Sequence, residues 1–483
     1  MDQTLKDRFK IKQVNWKAVL SVVVAVAAYL ILSRLPLQAY GDKTASALGF
    51  FAAFLILMFA QPWDMFLTAM LVPIGGFLLG FWDWRTFQVS AGTSSFLQVM
   101  AFSIVGLGAE TTPLGKRLAY WFLKRFGQKP VLMVVTVGVV SGLISSMISN
   151  TATLIMMSAI VHEMLVAMGE TPGTSRIGRC LMLLISAVCF IGGAALYNGC
   201  VFVAALGLDL LKSAAGGVLE GMTLSYREWA ILGFPTFAVT IIPICLIYAF
   251  TKRVSAKGVR LLPKEHYEEK LREMGRIQYA EVRWIITVVC MIVLLVRGAN
   301  TNTTSLIFAI ITLMPLIGTV PIKGLFSKLP MHIFFVLYFT SILGELFTTT
   351  GLSNMLADLV YPYMSDLQPY VFSAVVFLIM VVIQNVLING SVAGMSLVLT
   401  ISTPICLRLG YNPFVILFPA ICAASYFFWI PLGANMLLNK GYGWWTVKDS
   451  LLPGGLTLLF LTVVAPAITL WMAPLAGLSI YMP

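Results

Sequence analysis

The sequence predicts an all-α polytopic membrane protein with about eleven transmembrane helices, two re-entrant helical hairpins, and inverted repeats with two broken helices. Of its 483 residues, 59% are hydrophobic and 11% are charged, against roughly 25% charged residues in a soluble domain. The apolar residues come in many blocks of about twenty, the length that crosses a hydrocarbon core. Polar interruptions recur in the same order in both halves of the chain, which indicates an internal repeat.

The basic residues indicate the orientation in the membrane. The net charge is +12, and the Lys and Arg residues cluster beside apolar blocks instead of alternating with aromatic residues, so we expect no nucleic-acid partner. By the positive-inside rule, the basic segment 252–283 and the N-terminus lie in the cytoplasm. Because no charged residue follows Asp449, we expect the C-terminus outside and an odd number of crossings. A bacterial inner (cell) membrane is the expected location.

The repeat divides the chain into four parts. Residues 1–44 are predicted to form an N-terminal cytoplasmic segment and the first transmembrane helix, and residues 45–251 the first inverted repeat. A basic cytoplasmic linker (252–283) and the second repeat (284–483) follow. Thr/Gly-rich turns at 111–113 and at 348–351 predict re-entrant hairpins at about 90–115 and 331–354. Irregular backbone of this kind is tolerated at membrane depth only where protein or water satisfies its hydrogen bonds.

Two polar triplets interrupt apolar blocks and predict the broken helices. Ser149-Asn150-Thr151 interrupts the first repeat at 149–151, and Asn389-Gly390-Ser391 interrupts the second at 388–391. A broken helix leaves free N–H groups, which attract an anion, and free carbonyl groups, which with Ser, Thr and Asn oxygens suit a small hard cation such as Na⁺. Close packing of small polar residues between helices is the alternative explanation.

Other candidate residues are sparse. Ser145 lies one helical turn before Ser149, and Gln384 occupies a comparable place before Asn389. Glu110 and Glu345 each lie near a hairpin turn, where a carboxyl group takes up protons or anchors the hairpin. The seven cysteines form no CxxC pair, which favours their being small apolar residues. Nucleophile and nucleotide-binding motifs are missing, so the sequence predicts that the protein is not an enzyme.

The order of these features resembles the divalent anion/sodium symporter family of the ion transporter superfamily. The most specific piece is Ser145 followed by Ser149-Asn150-Thr151-Ala152-Thr153, which matches the first SNT motif of that family. Gly115-Lys116-Arg117-Leu118-Ala119, Ile191-Gly192-Gly193, and Gly275 with Glu281-Val282-Arg283 resemble other family segments. The resemblance implies a homodimer whose transport domain moves like an elevator. It also implies that Na⁺ drives the transport of C4 dicarboxylates, citrate or sulfate.

The resemblance also implies the binding residues. The expected sodium ligands are Ser145, Ser149, Asn150, Gly199, Gln384, Asn389 and Gly433. The expected substrate-binding residues are Ser149, Asn150, Thr151, Asn198, Cys200, Asn389, Gly390, Ser391, Ala434 and Asn435. Where the family has Gly-Thr-Pro-Pro-Asn, this chain has Gly199-Cys200-Val201-Phe202-Val203. The loss of threonine hydroxyls favours a larger or partly apolar anion, or replacement of the lost donors by Tyr197, Asn198 and Asn435.

The predicted function is that of a secondary active, elevator-type transporter of small organic anions, namely di- or tricarboxylates, coupled to Na⁺. Its expected partners are the anionic substrate, Na⁺, the lipid bilayer and a second copy of the chain. Proton-coupled transport or exchange of another anion, such as sulfate or a sulfonate, is an alternative. A passive anion channel is a further alternative, although it requires rings of like groups along a continuous path.

Overall fold

The computed structural model describes residues 16–92, 94–254, 260–386, 391–430 and 434–482, and in these ranges the regular structure is helical. Eight helices in these ranges are long and apolar enough to span a membrane, or nine if one bent pair is counted as a span. The bent pair consists of Phe334–Phe347 and Leu352–Met364, and the helical path bends by 72° between them. Six shorter apolar helices of 10–17 residues accompany them. The prediction of an all-α polytopic membrane protein is therefore confirmed.

The first half of the chain contains eleven α-helices and a short 3₁₀ turn in its described part. They are α1 (Trp16–Leu32), α2 (Thr44–Ala60), α3 (Met65–Leu78), α4 (Trp84–Ala91), α5 (Ser94–Glu110), α6 (Leu114–Phe126), α7 (Pro130–Met147), α8 (Asn150–Ala167), α9 (Arg176–Gly193), the 3₁₀ turn Tyr197–Gly199, α10 (Val201–Ala214) and α11 (Tyr226–Thr251).

The described part of the linker and second half contains thirteen α-helices and a terminal 3₁₀ turn. They are α12 (Lys264–Glu273), α13 (Tyr279–Val296), α14 (Thr301–Leu313), α15 (Leu325–Lys328), α16 (Met331–Thr340), α17 (Leu343–Thr349), α18 (Leu352–Met364), α19 (Pro369–Val386), α20 (Ser391–Arg408), α21 (Pro413–Ile416), α22 (Phe418–Ala423), α23 (Ala434–Lys440), α24 (Val447–Met472) and the 3₁₀ turn Pro474–Ala476.

Helix starts follow local capping signals. The Ser225 side chain accepts a hydrogen bond from the Glu228 N–H group while the Glu228 carboxylate accepts one from the Ser225 N–H group, which forms a capping box at the start of α11. Thr446 and Asp449 form the same arrangement at the start of α24. A capping box satisfies two N–H groups that the helix itself leaves unpaired. Both long helices therefore begin at a local capping signal in the sequence.

Corresponding helices of the two halves have equal lengths. Helices α6 and α18 have 13 residues each, α7 and α19 have 18, α8 and α20 have 18, and α11 and α24 have 26. They follow one another in the same order, so the first repeat includes α6 to α11 and the second includes α18 to α24. The predicted domain limits at 45–251, 252–283 and 284–483 remain predictions.

The contacts between α11 and α24 show that the repeats are inverted. At one end of the pair, Lys252 Nζ lies 3.4 Å from Asp449 Oδ1. Further along, Gly233 and Thr236 line a small cavity together with Ala465 and Thr469. Residue numbers thus fall along α11 as they rise along α24, and the two helices are antiparallel. Because they occupy equivalent places in the two repeats, the repeats have opposite orientations.

The predicted count of about eleven spans includes helices that are slightly short. Helices α1 and α2 have 17 residues each, which gives a length of about 26 Å at the α-helical rise. Such helices cross a bilayer when their flanking residues lie in the interfacial regions. Counting α1 and α2 with the eight or nine long helices gives ten or eleven candidate spans in the described ranges.

Candidate functional site

The first polar triplet lies where α7 ends and α8 begins. Met147 is the last residue of α7 and Asn150 is the first of α8. Between them, Ile148 (φ −123°, ψ 174°) and Ser149 (φ −59°, ψ 135°) are extended. The Ser149 side chain makes no capping hydrogen bond to the helix that it precedes. The sequence-predicted interruption at 149–151 therefore begins at Ile148.

Helix α7 runs parallel to α9. A Cβ placed on Gly138 would lie 3.3 Å from Leu184 Cδ2. Seven residues later on α7, the Ser145 hydroxyl donates a hydrogen bond of 2.5 Å to the Cys189 carbonyl oxygen. Residue numbers rise together along both helices, so they point the same way.

Helix α8 runs antiparallel to α9, so the chain reverses at Ile148–Ser149. A Cβ placed on Gly193, at the end of α9, would lie 3.0 Å from the side-chain amide of Asn150, at the start of α8. At the other end, Trp444 contacts both Gly178 of α9 and His162 of α8, with 2.9 Å between Trp444 Nε1 and His162 Nδ1. Helices α7 and α8 are thus the arms of a hairpin whose tip carries Ser149 and Asn150.

The second interruption of this repeat separates α9 from α10 and contacts the hairpin tip. Asn198 lies in the 3₁₀ turn Tyr197–Gly199, and its Nδ2 donates to the carbonyl oxygens of Ser146 (3.2 Å) and Met147 (3.0 Å). Its Oδ1 accepts a hydrogen bond of 2.8 Å from the Tyr226 hydroxyl. The Asn198 amide therefore satisfies carbonyl groups that the end of α7 would otherwise leave unpaired.

Carbonyl oxygens converge at Gly199. A Cβ placed on Gly199 would lie 2.6 Å from the Ser145 carbonyl oxygen and closer still to that of Gly193. Only glycine allows this approach, because any side chain would occupy the space of the oxygens. Na⁺ is a hard cation that prefers such neutral and anionic oxygens as ligands. The Ser145 and Gly193 carbonyl groups, with the Asn150 amide that packs against Gly193, provide a donor set that fits this ion.

The second repeat has an equivalent clamp built on Asn385, near the end of α19. Asn385 Nδ2 donates to the carbonyl oxygens of Val381 (2.9 Å) and Tyr426 (2.8 Å). Its Oδ1 accepts hydrogen bonds from the backbone N–H groups of Phe428 (3.1 Å) and Trp429 (2.9 Å). An asparagine side chain thus joins two segments of each repeat. Asn198 reaches from the 3₁₀ turn to the end of α7, and Asn385 reaches from the end of α19 to the segment after α22.

These elements surround a cavity of about 620 Å³. Polar groups from the first repeat line it, namely Ser103, Glu110, Ser149, Asn150, Thr151, Asn198 and Cys200. The second repeat contributes Lys328, His332, Val392, Ser425 and Phe427. Within the described ranges, no group of three His, Cys, Asp or Glu side chains that could hold a transition metal is found. The cavity instead offers amide, hydroxyl and carbonyl oxygens with a few charged groups at one side.

The sequence-predicted residues of the first repeat come together in the structure. Ser149, Asn150, Thr151, Asn198, Gly199 and Cys200 all line the cavity, and the fully buried Ser145 lies behind it. Gln384 is buried beside Asn385. Asn389, Gly390 and Gly433 lie outside the described residues. Ser391 starts α20, and Ala434 and Asn435 start α23.

Lys328 and His332 are functional candidates that sequence reasoning missed. Both line the cavity: Lys328 is the last residue of α15, and His332 lies in the first turn of α16, at the start of the second predicted hairpin. Two basic residues immediately before an apolar block were the available signal, but the positive-inside rule accounts equally well for such residues. Their position beside Glu110 could not be derived without the tertiary structure.

Inverted repeats whose helix interruptions meet around a central cavity define a secondary membrane transporter. Residues 13–478 match the family model described as the sodium:sulfate symporter transmembrane region. The chain therefore belongs to this family, which is that of the divalent anion/sodium symporters. It is an integral membrane transporter and not an enzyme.

Two curated relatives are similar over most of their length. The sodium-dependent high-affinity dicarboxylate transporter 3 of Caenorhabditis elegans is 25% identical over 454 residues, covering 82% of this chain and 78% of the relative. The sodium-dependent dicarboxylate transporter SdcS of Staphylococcus saprophyticus is 21% identical over 450 residues, covering 86% and 83%. Among solved structures, the YdaH transporter of Alcanivorax borkumensis has a TM-score of 0.50 at 13% identity and 96% coverage of both chains, which shows the fold alone.

Proposed function

We propose that this protein is a Na⁺-coupled secondary transporter of a small di- or tricarboxylate. The observation that carries the proposal is the meeting of the α7–α8 hairpin tip with the Asn198–Gly199 interruption at one cavity. Helix N–H groups and carbonyl oxygens thereby face the same space. The names of the two relatives, both sodium-dependent dicarboxylate transporters, support the choice of ion and anion.

The anion binds at the start of α8. The first turn of a helix presents N–H groups without intrahelical partners, together with the positive end of the helix dipole. Ser149, Asn150 and Thr151 add side-chain donors, and all three line the cavity. Asn198, Cys200 and Ser391, with Asn389, Gly390, Ala434 and Asn435, are proposed as further substrate contacts. Lys328 lines the same cavity, and its positive charge favours an anion there.

Sodium ions bind behind the anion. In the first repeat, the ligands are the Ser145 and Gly193 carbonyl oxygens with the Ser149 and Asn150 side chains, and Gly199 allows their approach. By analogy between the repeats, Asn389, Gly433 and Gln384 are proposed as the ligands of a second sodium ion. Moving one charge against 100 mV costs about 2.3 kcal/mol. Co-bound Na⁺ offsets the charge of the anion and so lowers this cost.

The transport cycle alternates access by moving a transport domain, which contains the α7–α8 hairpin and its counterpart in the second repeat, together with the bound ligands. The bound site stays intact while the transport domain slides past a scaffold, in an elevator mechanism within a homodimer. The N-terminus and the linker 252–283 lie in the cytoplasm, and the C-terminus lies outside. Two inverted repeats support such a cycle because the same contacts recur with opposite orientation.

The test is uptake of labelled succinate and citrate into proteoliposomes, with external Na⁺ or choline. Asn150→Ala removes the amide that lies against Gly193, and we expect uptake to fall at least tenfold. Asn354→Ala is the matched control, because Asn354 is exposed on α18 and does not line the cavity. Wild-type uptake by the Asn150 variant would reject the assigned site.

Replacing Na⁺ with choline should slow wild-type uptake strongly. Undiminished uptake with stimulation by acid would instead favour proton coupling, for which Glu110 is positioned on the cavity wall. Counterflow distinguishes a carrier from a passive anion channel, because only a carrier is accelerated by unlabelled substrate on the opposite side.

A further inference from the structure

The cavity has an apolar wall beside its polar groups. Five phenylalanines of the described chain line it, namely Phe102, Phe190, Phe202, Phe334 and Phe427. Phe102, Phe190 and Phe334 are almost fully buried and form the back of the wall. Phe202 and Phe427 are half-buried, so that part of each ring is uncovered. Because both line the cavity, this uncovered surface is available to a ligand.

We propose that the transported anion is a dicarboxylate with an apolar or aryl body larger than a four-carbon chain; this inference rests on the proposed function and specifies its substrate class. One carboxylate lies at Ser149–Thr151 and the apolar body packs against Phe202 and Phe427. Pockets of about 300–1,000 Å³ accommodate drug-sized ligands, and the volume of about 620 Å³ lies in the middle of this range. A four-carbon dicarboxylate would leave much of this space, and of the ring surface, in contact with water.

Three of these phenylalanines lie close to residues of the proposed carboxylate site, either in sequence or in space. Phe190 is one helical turn before Gly193, against which Asn150 packs. Phe102 packs on Tyr197, the neighbour of Asn198, with 5.7 Å between ring centroids. Phe202 follows Cys200 by two residues at the start of α10. A ligand bound by one carboxylate at the hairpin tip therefore brings its body directly against the apolar wall.

Both repeats contribute to the wall. Phe190 of the first repeat contacts Phe427 of the second, with 5.4 Å between ring centroids and an interplanar angle of 63°. The position of Phe427 is determined by the Asn385 side chain, which binds the next two backbone N–H groups. Aromatic rings that are held in place in this way favour edge-to-face contact with another ring. The geometry therefore favours aryl groups over flexible chains.

The experiment compares succinate with phenylsuccinate, which has the same two carboxylates and an added ring. Inhibition of Na⁺-dependent labelled-succinate uptake is measured in proteoliposomes, together with trans-acceleration by internal phenylsuccinate. We expect phenylsuccinate to inhibit at a concentration at least tenfold lower than succinate, and to accelerate uptake from inside. The tenfold figure corresponds to partial burial of one ring.

Phe202→Ala and Phe427→Ala should each reduce the tenfold preference for phenylsuccinate over succinate to about threefold or less. The use of two variants keeps the test valid if one of them fails to fold. Phe234→Ala is the matched control, because Phe234 is exposed on α11 and lies outside the cavity; it should leave the preference unchanged. Na⁺-dependent succinate uptake that phenylsuccinate inhibits no better than succinate would overturn this inference alone. Loss of Na⁺-dependent uptake for both anions in the wild type would overturn the proposed function itself.

Discussion

Arg117 of α6 and Glu281 of α13 form a buried ion pair, with 3.1 Å between Arg117 Nε and Glu281 Oε1. The Glu281 side chain is 0% exposed and that of Arg117 is 14% exposed. The Arg117 guanidinium also donates to the carbonyl oxygens of Met274 (3.3 Å) and Gly275 (2.9 Å). Glu281 in turn accepts a 2.6 Å hydrogen bond from the Gln278 backbone N–H group. The pair therefore holds the end of the 252–283 linker against α6 of the first repeat.

Arg117→Ala should lower the free energy of unfolding by about 3–5 kcal/mol, because it leaves a buried carboxylate without its cation. Thermal unfolding of the detergent-solubilised protein measures the effect. The control is Lys124→Ala, since the Lys124–Glu268 pair is 39% and 40% exposed and solvent screens such pairs, so that they contribute little to stability. Equal effects of the two substitutions would contradict the importance of the buried pair.

The docking of α12 on α6 should depend on pH. The Lys124 ammonium, 2.8 Å from Glu268 Oε1, holds the pKa of that carboxyl below its usual range. A carboxyl whose folded-state pKa is lowered stabilises the fold above its unfolded pKa, and this contribution is lost as the pH falls through the folded pKa. We expect amide protection factors in α12 to fall on acidification from neutral pH to below about 4.

Glu268→Gln removes the titrating group, so its α12 protection should change less over the same pH range. The comparison uses hydrogen exchange normalised to intrinsic rates at each pH. An identical pH response in the wild type and the variant would assign the effect to another group.

Gly199→Ala should abolish the stabilisation of the protein by Na⁺. The added Cβ would lie 2.6 Å from the Ser145 carbonyl oxygen, so the Ser145 and Gly193 carbonyl oxygens would have to move apart. Binding of a ligand to the native state raises its melting temperature by mass action, and this Na⁺-dependent rise is the measurement. Gly455→Ala on α24 is the control, because its Cβ would meet Trp429 Nε1 at an ordinary 3.5 Å. A preserved Na⁺ shift in the Gly199 variant would exclude the proposed cation site.

Asn385→Ala should destabilise the protein by about 2–4 kcal/mol and reduce uptake at least tenfold. The substitution leaves the buried N–H group of Phe428 and the partly buried N–H group of Trp429 without an acceptor, and an unsatisfied buried group costs about 1–3 kcal/mol. Asn385→Asp keeps the acceptor, but its second oxygen would face the Val381 and Tyr426 carbonyl oxygens. It should therefore retain more stability than the alanine variant only at acidic pH, where that oxygen carries a proton. Melting temperature and uptake are measured together; equal losses in both variants at acidic pH would argue against the acceptor role.

Much of the first-repeat site could be predicted from the sequence because its signals are local. A polar triplet within an apolar block marks Ser149-Asn150-Thr151 as an interruption, and Asn198-Gly199 marks the next one. What the sequence could not predict was that α7 and α8 lie side by side and reverse at Ser149. Residue patterns encode where a helix ends, whereas the direction of the next helix depends on packing against distant segments.

The sequence by itself determined the membrane class, the all-helical architecture and the interruptions of the first repeat, since hydrophobicity and helix-breaking residues act over a few turns of chain. Only the tertiary structure decided which groups share the cavity. Lys328 and His332 join Glu110, and Phe427 meets Phe190, across separations of more than two hundred residues. Such contacts arise from the packing of two inverted repeats, and no local property of either segment specifies the other.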